Sequence, residues 1–374
     1  MILEVQDLRT SFDTPAGTVR AVDGVSFALD AGRTLGVVGE SGSGKTVLSR
    51  SIMNLLPRRG VTRSGRVRFQ GRDITDLGPK EMTSVWGAEM AMVFQDPMTS
   101  LNPVMRIGPQ ITESLRFHLG LSRPEAEREA LALLRSVNIP EPKRRFREYP
   151  HQLSGGMRQR VTIAIALACS PSLLLADEPT TALDVTVQAQ ILNLLADQQA
   201  KRHMAMILVT HDLGVVAGRA DEIAVMYAGR VVEKAPTEVL FREMRHPYTE
   251  ALLASIPRLE HRSHTRLQAI PGRPPDLVHP PAGCRFAPRC ASVQQRCLEE
   301  DPVLRAAETT GHHYACWYPV GTDEGREARE RNVARDTAVH VARRPAARRR
   351  PRDIGVTGVP VLTDAAPAEP EGGE

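Results

Sequence analysis

The sequence has few aromatic residues, 4% of its 374 positions, and only two of these are tryptophan. It lacks an uninterrupted apolar run of the roughly 20 residues that a helix needs to cross a bilayer. Its first residues, Met1-Ile-Leu-Glu-Val-Gln-Asp7, have a strand pattern rather than that of a secretion signal. The net charge is only +4. We therefore expect a globular chain that reaches any membrane through partner subunits, and we expect no nucleic-acid partner.

Apolar runs and helical patterns alternate along the chain, and this alternation predicts an α/β fold. A chain of this length has room for a core unit of about 250 residues and a smaller second unit. A largely parallel sheet, covered by helices on both faces, is predicted from four short apolar runs at Leu35–Gly39, Met90–Phe94, Leu173–Ala176 and Met206–Val209. An antiparallel layer beside it is predicted from Ile2–Val5, Val19–Leu29 and Arg66–Gln70. The helical pattern between Pro97 and Ser170 predicts an inserted helical subdomain.

A glycine-rich loop follows the first of these apolar runs and precedes a helical pattern. Gly39-Glu-Ser-Gly-Ser-Gly-Lys-Thr46 matches the phosphate-binding pattern G-x-x-x-x-G-K-[ST]. In this pattern the backbone N–H groups of the loop and the start of the following helix bind phosphate, which assigns nucleotide contacts to Gly39, Ser41, Gly42 and Gly44. Lys45 is predicted to neutralise phosphate charge, and Thr46 to hold Mg²⁺ together with Asp177. The strand–loop–helix context makes a merely structural glycine turn the weaker alternative.

A second carboxylate directly follows the predicted metal residue at the end of a buried strand. Glu178 is one residue beyond Asp177 and is therefore well placed to polarise an attacking water, so we predict that it is the general base. Gln95 and His211 each follow an apolar run. Taken alone, a glutamine there is usually solvated, and a histidine is more often structural than catalytic.

The segment Leu153-Ser-Gly-Gly-Met157, about 20 residues before the strand that ends in Asp177-Glu178, resembles the signature of ATP-binding cassette (ABC) ATPases. From the residues alone, Ser154 can cap the following helix, while Gly155 and Gly156 leave the helix start open to an anion. The resemblance implies that these residues complete the ATP site of a facing subunit. A role limited to shaping the helix start is the alternative.

The same resemblance implies roles for further residues. Gln95 corresponds to the glutamine that senses metal and attacking water and faces the transmembrane partner, and His211 to the switch histidine at the γ-phosphate. Thr181-Ala-Leu-Asp184 resembles the loop that crosses the interface between two ATPase subunits, which places Asp184 near nucleotide. Phe12 lies where relatives stack an aromatic ring on adenine, although a core role is the simpler reading of a phenylalanine at a strand edge. The chain carries one set of motifs, so a second ATPase subunit must come from another chain.

Three longer segments resemble the ATPase subunits of dipeptide and oligopeptide importers: Tyr149–Arg160, Asp177–Gln190 and His246–Thr249. The resemblance covers roughly residues 1–320. It implies an ATP hydrolase at the cytoplasmic face of the membrane, two permease subunits, and an extracytoplasmic peptide-binding protein. Gln152 departs from the acidic residue expected in many relatives, which weakens the predicted transmembrane contact. Nickel or another small solute is the alternative cargo. A soluble ABC ATPase acting on nucleic acid or ribosomes usually has paired cassettes or a long inserted coil, and neither occurs here.

Four of the five cysteines lie close together after the ATPase core, at Cys284, Cys290, Cys297 and Cys316. Cys169 lies apart, at the end of an apolar helical pattern, and is expected to be a buried core thiol. A cytoplasmic chain keeps its thiols reduced, which favours a metal site over disulfides. The spacing fits neither common zinc sites nor the ferredoxin run. Resemblance to peptide-importer ATPases implies a [4Fe–4S] cluster; zinc, with His312 or His313 as substitute ligands, and unligated thiols are the alternatives.

These patterns divide the sequence into three parts. We predict an ATPase domain over residues 1–235, with the helical subdomain at about 97–170, and a cysteine-containing C-terminal module over residues 236–320. Residues 321–374 are rich in arginine, proline and alanine and lack apolar periodicity, so we expect a disordered tail. Its basic run, Arg343–Arg352, is expected to be solvated rather than bound to anionic lipid or nucleic acid.

Overall fold

The structure is a computed structural model that describes residues 1–57, 59–181, 183–256 and 270–342, apart from the side chains of residues 97, 98 and 335–342. Its strands are β1 Leu3–Thr14, β2 Gly17–Leu29, β3 Thr34–Val38, β4 Val61–Phe69, β5 Arg72–Asp73, β6 Met90–Val93, β7 Leu173–Asp177, β8 Ala205–Thr210, β9 Glu222–Tyr227, β10 Arg230–Pro236, β11 Arg305–Ala306 and β12 His313–Tyr314. Its α-helices are α1 Lys45–Ile52, α2 Pro79–Met82, α3 Pro97–Ser100, α4 Ile107–Leu119, α5 Arg123–Ser136, α6 Pro142–Arg145, α7 Gly155–Ala166, α8 Val185–Arg202, α9 Leu213–Val216, α10 Thr237–Glu243, α11 Pro247–Ala254, α12 Gln295–Glu299 and α13 Asp323–Ala342.

The main sheet has the order β11-β12-β10-β9-β3-β8-β7-β6. Strands β3, β8, β7 and β6 are parallel, as predicted, and β9, which the apolar runs had not indicated, pairs in parallel with β3. Strands β10, β12 and β11 continue the sheet in antiparallel pairing. In the register, Val38 is opposite Thr210 and Asp177 is opposite Val209. The carboxyl ends of the parallel strands therefore meet at one edge of the sheet, where α/β folds of this type bind their ligands.

Both faces of this sheet are buried, which explains why its strands are apolar throughout. In β7, Leu173 and Leu175 belong to one hydrophobic cluster, whereas Leu174 and Ala176 belong to another. Successive side chains of a strand point to opposite faces, so helices or a second sheet must cover each face. The first cluster includes the antiparallel layer, and the second includes the helices that follow β6.

The antiparallel layer is a four-stranded sheet of order β2-β1-β4-β5. It confirms the predicted strands, but β1 and β4 are longer than the sequence pattern indicated, because β1 pairs along most of its length with both neighbours. Helices α3–α7 occupy the stretch that we predicted to be helical. Helix α5 begins with a capping box in which Ser122 and Glu125 satisfy each other's backbone N–H groups.

Residues Met1–Asn332 form one compact unit. The C-terminal region, by which we mean residues 236–320, is joined to the ATPase sheet because β12 pairs with β10. Its treatment as a separate module, with a boundary at residue 235, stays a prediction.

The expectation of disorder from residue 321 is wrong for Asp323–Ala342, which forms helix α13. Contacts within the Met1–Asn332 unit stabilise its first half: Arg329 pairs with Glu250, and the Asn332 side chain donates to the Ala291 and Val293 carbonyls. The basic run Arg343–Arg352 lies outside the described residues. Within the described ranges, no helix has the length and apolar character needed to span a membrane.

Candidate active site

The phosphate loop lies between β3 and α1, at the carboxyl edge of the sheet. A Cβ at position 39 would lie 2.1 Å from the Met226 carbonyl oxygen, so only glycine fits there. Gly44 has a φ of 100°, a conformation that L side chains rarely adopt. The two glycines that the phosphate-binding pattern specifies, Gly39 and Gly44, are therefore both required by the loop's backbone.

Lys45 is buried beneath this loop, at 4% exposure. Its Nζ donates to the Gly39 carbonyl at 2.7 Å and to the Glu40 carbonyl at 3.0 Å, and lies 3.9 Å from Glu178 Oε1. Burial lowers the pKa of Lys45, while the nearby carboxylates act in the opposite direction. The ammonium group is thus held between the loop backbone and the strand-end carboxylate.

The predicted metal residues are in contact. Thr46 Oγ1 donates to Asp177 Oδ1 at 3.1 Å, although the two residues are 131 positions apart in the chain. Burial raises the pKa of Asp177, and the hydrogen bond from Thr46 opposes that rise. A hydroxyl and a carboxylate are the oxygen ligands that Mg²⁺ prefers. This pair therefore fits the ion that the sequence predicts.

Glu178 is the meeting point of the other predicted catalytic residues. Its Oε2 accepts a hydrogen bond from Gln95 Nε2 at 3.1 Å and lies 3.4 Å from His211 Nδ1. Thr181 Oγ1 donates to the same oxygen at 2.9 Å. The Glu178 side chain is 13% exposed, whereas that of His211 is 63% exposed. Glu178, Gln95 and His211, which were predicted from separate sequence segments, therefore form one cluster.

These residues line one open cavity of about 740 Å³. Its wall includes Glu40, Ser41, Gln95, Glu178 and His211 from the ATPase motifs. The cavity also has a side formed by residues of the C-terminal region, namely Leu252, Ser255, Ile270 and Pro274. No sequence motif had indicated that side.

The signature residues lie elsewhere. Ser154 is exposed and caps α7, because its Oγ accepts from the Met157 N–H at 3.3 Å. Among the described residues that line the 740 Å³ cavity, none belongs to Ser154–Gly156. Asp184 similarly caps α8, by accepting from the Val187 N–H at 2.9 Å. Contacts of these residues with nucleotide stay predictions.

Phe12 is partly exposed on β1, where it pairs with Val19 and Val61. It is outside both hydrophobic clusters, so the reading of Phe12 as a core residue gains no support. Its contact with adenine stays a prediction.

Sequence reasoning missed two residues that hold the phosphate loop from the C-terminal region. Arg289 forms a two-pronged ion pair with the Glu40 carboxylate, and the Tyr248 hydroxyl accepts from the Glu40 N–H at 2.8 Å. The available signals were an acidic residue inside an anion-binding loop and an arginine directly before a cysteine.

The four clustered cysteines line one small cavity of about 10 Å³, together with His246 and Trp317. Burial raises the pKa of Cys284 to about 11 and that of Cys290 to about 12, and it also raises the pKa values of Cys297 and Cys316. Across the described part of the chain, no group of three or more His, Cys, Asp or Glu side chains is arranged to hold a metal ion.

The histidines that we considered as zinc ligands, His312 and His313, are not among the described residues of that cavity's lining. His312 is buried and its Nε2 lies 2.8 Å from Glu233 Oε1. Cys169 is half-buried and packs against the core, and its sulfur lies 3.6 Å from the Ser114 carbonyl oxygen.

Comparison with known proteins identifies the family. Two family models match the chain: ABC transporter over residues 22–181, and Oligopeptide/dipeptide transporter, C-terminal region, over residues 232–297. The chain is 52% identical, over 317 residues, to the oligopeptide transport ATP-binding protein of Bacillus subtilis, covering 84% of this chain and 88% of that relative. The chain belongs to the ATP-binding proteins of peptide ABC transporters.

Other members of this family are similar over the same length. The dipeptide transport ATP-binding protein of Bacillus subtilis is 49% identical over 84% of this chain and 94% of its own. The oligopeptide transport ATP-binding protein of Escherichia coli is 48% identical over 85% and 94%, respectively. The C-terminal family match begins at residue 232, close to the boundary that we predicted at 235/236.

Solved structures support the ABC ATPase fold. The dimeric post-hydrolysis ATP-binding cassette MJ0796, bound to ADP and Pi, matches with a TM-score of 0.57 and 27% identity over 63% of this chain and 98% of that one. CbiO1 from Clostridium perfringens, part of the ABC transporter complex cbiONQ, matches with a TM-score of 0.55 and 28% identity over 65% and 91%. The fold and the ATP-hydrolysing class are therefore as the sequence predicted.

Proposed function

We propose that this chain is the ATP-hydrolysing subunit of an importer of dipeptides and oligopeptides. The observation that carries the proposal is the cluster in which Gln95 and His211 converge on Glu178, beside the pair Thr46 and Asp177, in a chain 52% identical to an oligopeptide transport ATP-binding protein. Its partners are two permease subunits, a second ATPase subunit and an extracytoplasmic peptide-binding protein. The subunit works at the cytoplasmic face of the membrane, to which the permeases tether it.

The residues divide the work of hydrolysis. Lys45 neutralises the β- and γ-phosphates, and Thr46 and Asp177 hold Mg²⁺, which neutralises phosphate charge when bound. Glu178 takes the proton of the attacking water. Gln95 and His211 hold the Glu178 carboxylate and the water in line, since both contact the same carboxylate oxygen.

A second ATPase subunit supplies the remaining contacts. Ser154–Gly156 begin helix α7 with exposed or half-exposed backbone, so the helix start is free to meet a phosphate of the facing subunit. The dimeric state of the solved cassette MJ0796 supports this arrangement. Asp184 lies three residues beyond Thr181, whose hydroxyl donates to Glu178, and it caps the start of α8. We assign it to the same interface with the second subunit.

An apolar groove beside Gln95 is suited to a permease segment. The groove has a volume of about 310 Å³ and is lined by apolar side chains that include Trp86, Met92, Phe94 and Ile165. Phe94 is 41% exposed and immediately precedes Gln95. A permease helix bound in the groove would therefore lie one residue from Gln95, which contacts Glu178. Phe94→Asp should weaken binding to detergent-solubilised permeases and leave ATP binding by the free chain unchanged. Unaltered permease binding would contradict the assignment.

The cargo is tested by transport. The chain, co-purified with its permeases and placed in proteoliposomes with the peptide-binding protein, should take up labelled dipeptide or oligopeptide only with internal ATP. Phosphate release should rise with the same peptides. Stimulation by nickel and not by peptides would assign the alternative cargo, and ATP turnover that responds only to nucleic acid or ribosomes would overturn the transport function.

We further propose that Cys284, Cys290, Cys297 and Cys316 hold a [4Fe–4S] cluster. The four thiols line one small cavity, although no group of the described residues there is arranged to hold a metal ion. A four-iron cluster is larger than a single ion, so its cysteine ligands stand farther apart than those of zinc. Burial raises the pKa values of these thiols, so they stay protonated unless a positively charged group such as iron stabilises their thiolates. Iron, acid-labile sulfide and zinc analysis of anaerobically purified protein distinguishes the three alternatives.

A further inference from the structure

We propose that Arg289 is a positioning residue of the ATP site, which neutralises the Glu40 carboxylate and fixes the phosphate loop from the C-terminal region. The inference rests on the proposed function only in that ATP is the nucleotide bound. It adds a residue outside the ATPase motifs to the nucleotide-binding machinery.

The contacts of Arg289 use its whole guanidinium group. Nη1 and Nη2 donate to the two Glu40 carboxylate oxygens at 2.5 and 3.0 Å. Nη1 also donates to the Tyr227 hydroxyl, while Nε and Nη2 donate to the carbonyls of Pro271 and Ile270. The Arg289 side chain is only 3% exposed. A buried, two-pronged arginine–carboxylate pair is among the strongest and most directional polar contacts in proteins.

Glu40 itself is held through each of its polar groups. Its N–H donates to the Tyr248 hydroxyl at 2.8 Å, and its carbonyl accepts from Lys45 Nζ at 3.0 Å and from the Ser43 N–H at 3.1 Å. Glu40 is the residue immediately after Gly39 in the phosphate pattern. Arg289 therefore acts on the backbone segment that wraps the phosphates, and on the lysine bound to that segment.

An acidic side chain in this loop creates an electrostatic problem that Arg289 solves. Phosphate loops bind anions through N–H groups and a lysine, and a free carboxylate nearby would repel the triphosphate. The hydrogen bonds that Arg289 donates to Glu40 raise the pKa of Arg289, so the guanidinium stays charged. The ion pair thus neutralises the carboxylate of Glu40, a residue that lines the candidate ATP cavity.

The sequence neighbours of Arg289 supply a matched control. Arg285 follows Cys284 as Arg289 precedes Cys290, and both arginines are buried. Arg285 donates to Asp23 and to the Ala228 carbonyl, and no phosphate-loop residue is among its described hydrogen-bond partners. Arg289→Ala and Arg285→Ala each remove a buried arginine beside a cysteine. Only Arg289→Ala also removes a contact to the phosphate loop.

The test is equilibrium binding of a fluorescent Mg-ATP analogue to the full purified chain without permeases or peptide. Arg289→Ala should weaken binding by about tenfold or more, because it leaves an unpaired carboxylate beside the phosphates. Adding Glu40→Ala should restore most of the lost affinity, because the repelling group is removed. Arg285→Ala should lower the unfolding temperature without this loss of affinity.

Two results would overturn the proposal: unchanged affinity in Arg289→Ala, or a double variant that binds as weakly as Arg289→Ala. A purely structural arginine would not be rescued by removal of Glu40. If Arg289→Ala does not fold, Arg289→Gln with and without Glu40→Ala gives the same comparison. The binding assay contains neither peptide nor permeases. Its result is therefore independent of whether the chain powers peptide import.

Discussion

Gln95 donates to Glu178 across 3.1 Å, from the end of β6 to the end of the neighbouring strand β7. His211, just beyond β8, lies 3.4 Å from the same carboxylate oxygen. Glu178 has a φ of 45°, an unusual backbone conformation for a residue other than glycine, and this turns its side chain at the strand end. Three adjacent strand ends therefore converge on one candidate base.

Glu178→Gln should abolish turnover and preserve ATP binding. The amide keeps the shape and the contact with Gln95 but cannot accept the proton of the water, so steady-state hydrolysis should fall by about 10²- to 10⁴-fold. Phosphate release by the assembled complex and ATP affinity of the free chain are the two measurements. Glu113→Gln, on helix α4, is a control that should change neither. Normal turnover in Glu178→Gln would remove this residue from the role of base.

Lys45→Ala and Ser154→Arg should separate the two halves of the ATP site. Lys45→Ala should weaken ATP binding to its own subunit, since it removes a buried charge aimed at the phosphates. Ser154→Arg should spare that binding and block hydrolysis in the assembled complex, since a bulky side chain would obstruct the exposed start of α7. Ser154→Thr retains the helix cap and should be nearly neutral. Equal loss of ATP binding in Ser154→Arg and Lys45→Ala would contradict the two-subunit site.

Cys290→Ser should remove the proposed cluster and destabilise the C-terminal region. Serine lacks the thiolate, and the segments around the cavity would lose the group that joins them. Iron and acid-labile sulfide content, together with thermal unfolding, measure the effect. Cys169→Ser is the matched control, because Cys169 lies outside the cysteine cavity, and it should keep the wild-type iron content. Zinc without sulfide in the wild-type protein would eliminate the cluster.

His246 predicts a pH dependence of stability. Burial lowers its pKa to about 4, and the nearby Glu233 carboxylate opposes the shift. In the unfolded chain, His246 binds a proton below the ordinary histidine pKa of about 6.5, whereas in the folded chain it stays neutral there. The free energy of unfolding therefore decreases as pH falls from 6.5 toward 4.

His246→Asn should reduce this pH dependence. The His246 ring accepts from the Tyr248 N–H at the start of α11, and asparagine can keep that cap without titrating. Between pH 7 and 5.5 the wild-type protein should lose about 1 kcal/mol more of unfolding free energy than the variant. Denaturant unfolding at several pH values measures the difference, and identical slopes would contradict the assignment.

Local pattern was enough to predict the ATPase core. Strands β3, β6, β7 and β8 are apolar because both of their faces are buried. Position 39 requires glycine because a neighbouring carbonyl lies too close for a side chain, and position 44 because its φ is positive. Because parallel strands end at one edge, the residues that follow them had to meet, as Glu178, Gln95 and His211 do. These features depend on chemistry and spacing within short segments, so they can be read from the sequence.

Only the tertiary structure revealed how the C-terminal region contacts that core. Arg289 and Glu40 are 249 positions apart, and no periodicity connects them. Strand β12 pairs with β10, and α13 forms where composition suggested disorder, because Arg329 and Asn332 find partners in the folded unit. The sequence alone determined the catalytic groups, since their motifs lie within short segments. Packing between distant segments decided the neighbours of the phosphate loop, because those contacts form and contribute stability only in the folded chain.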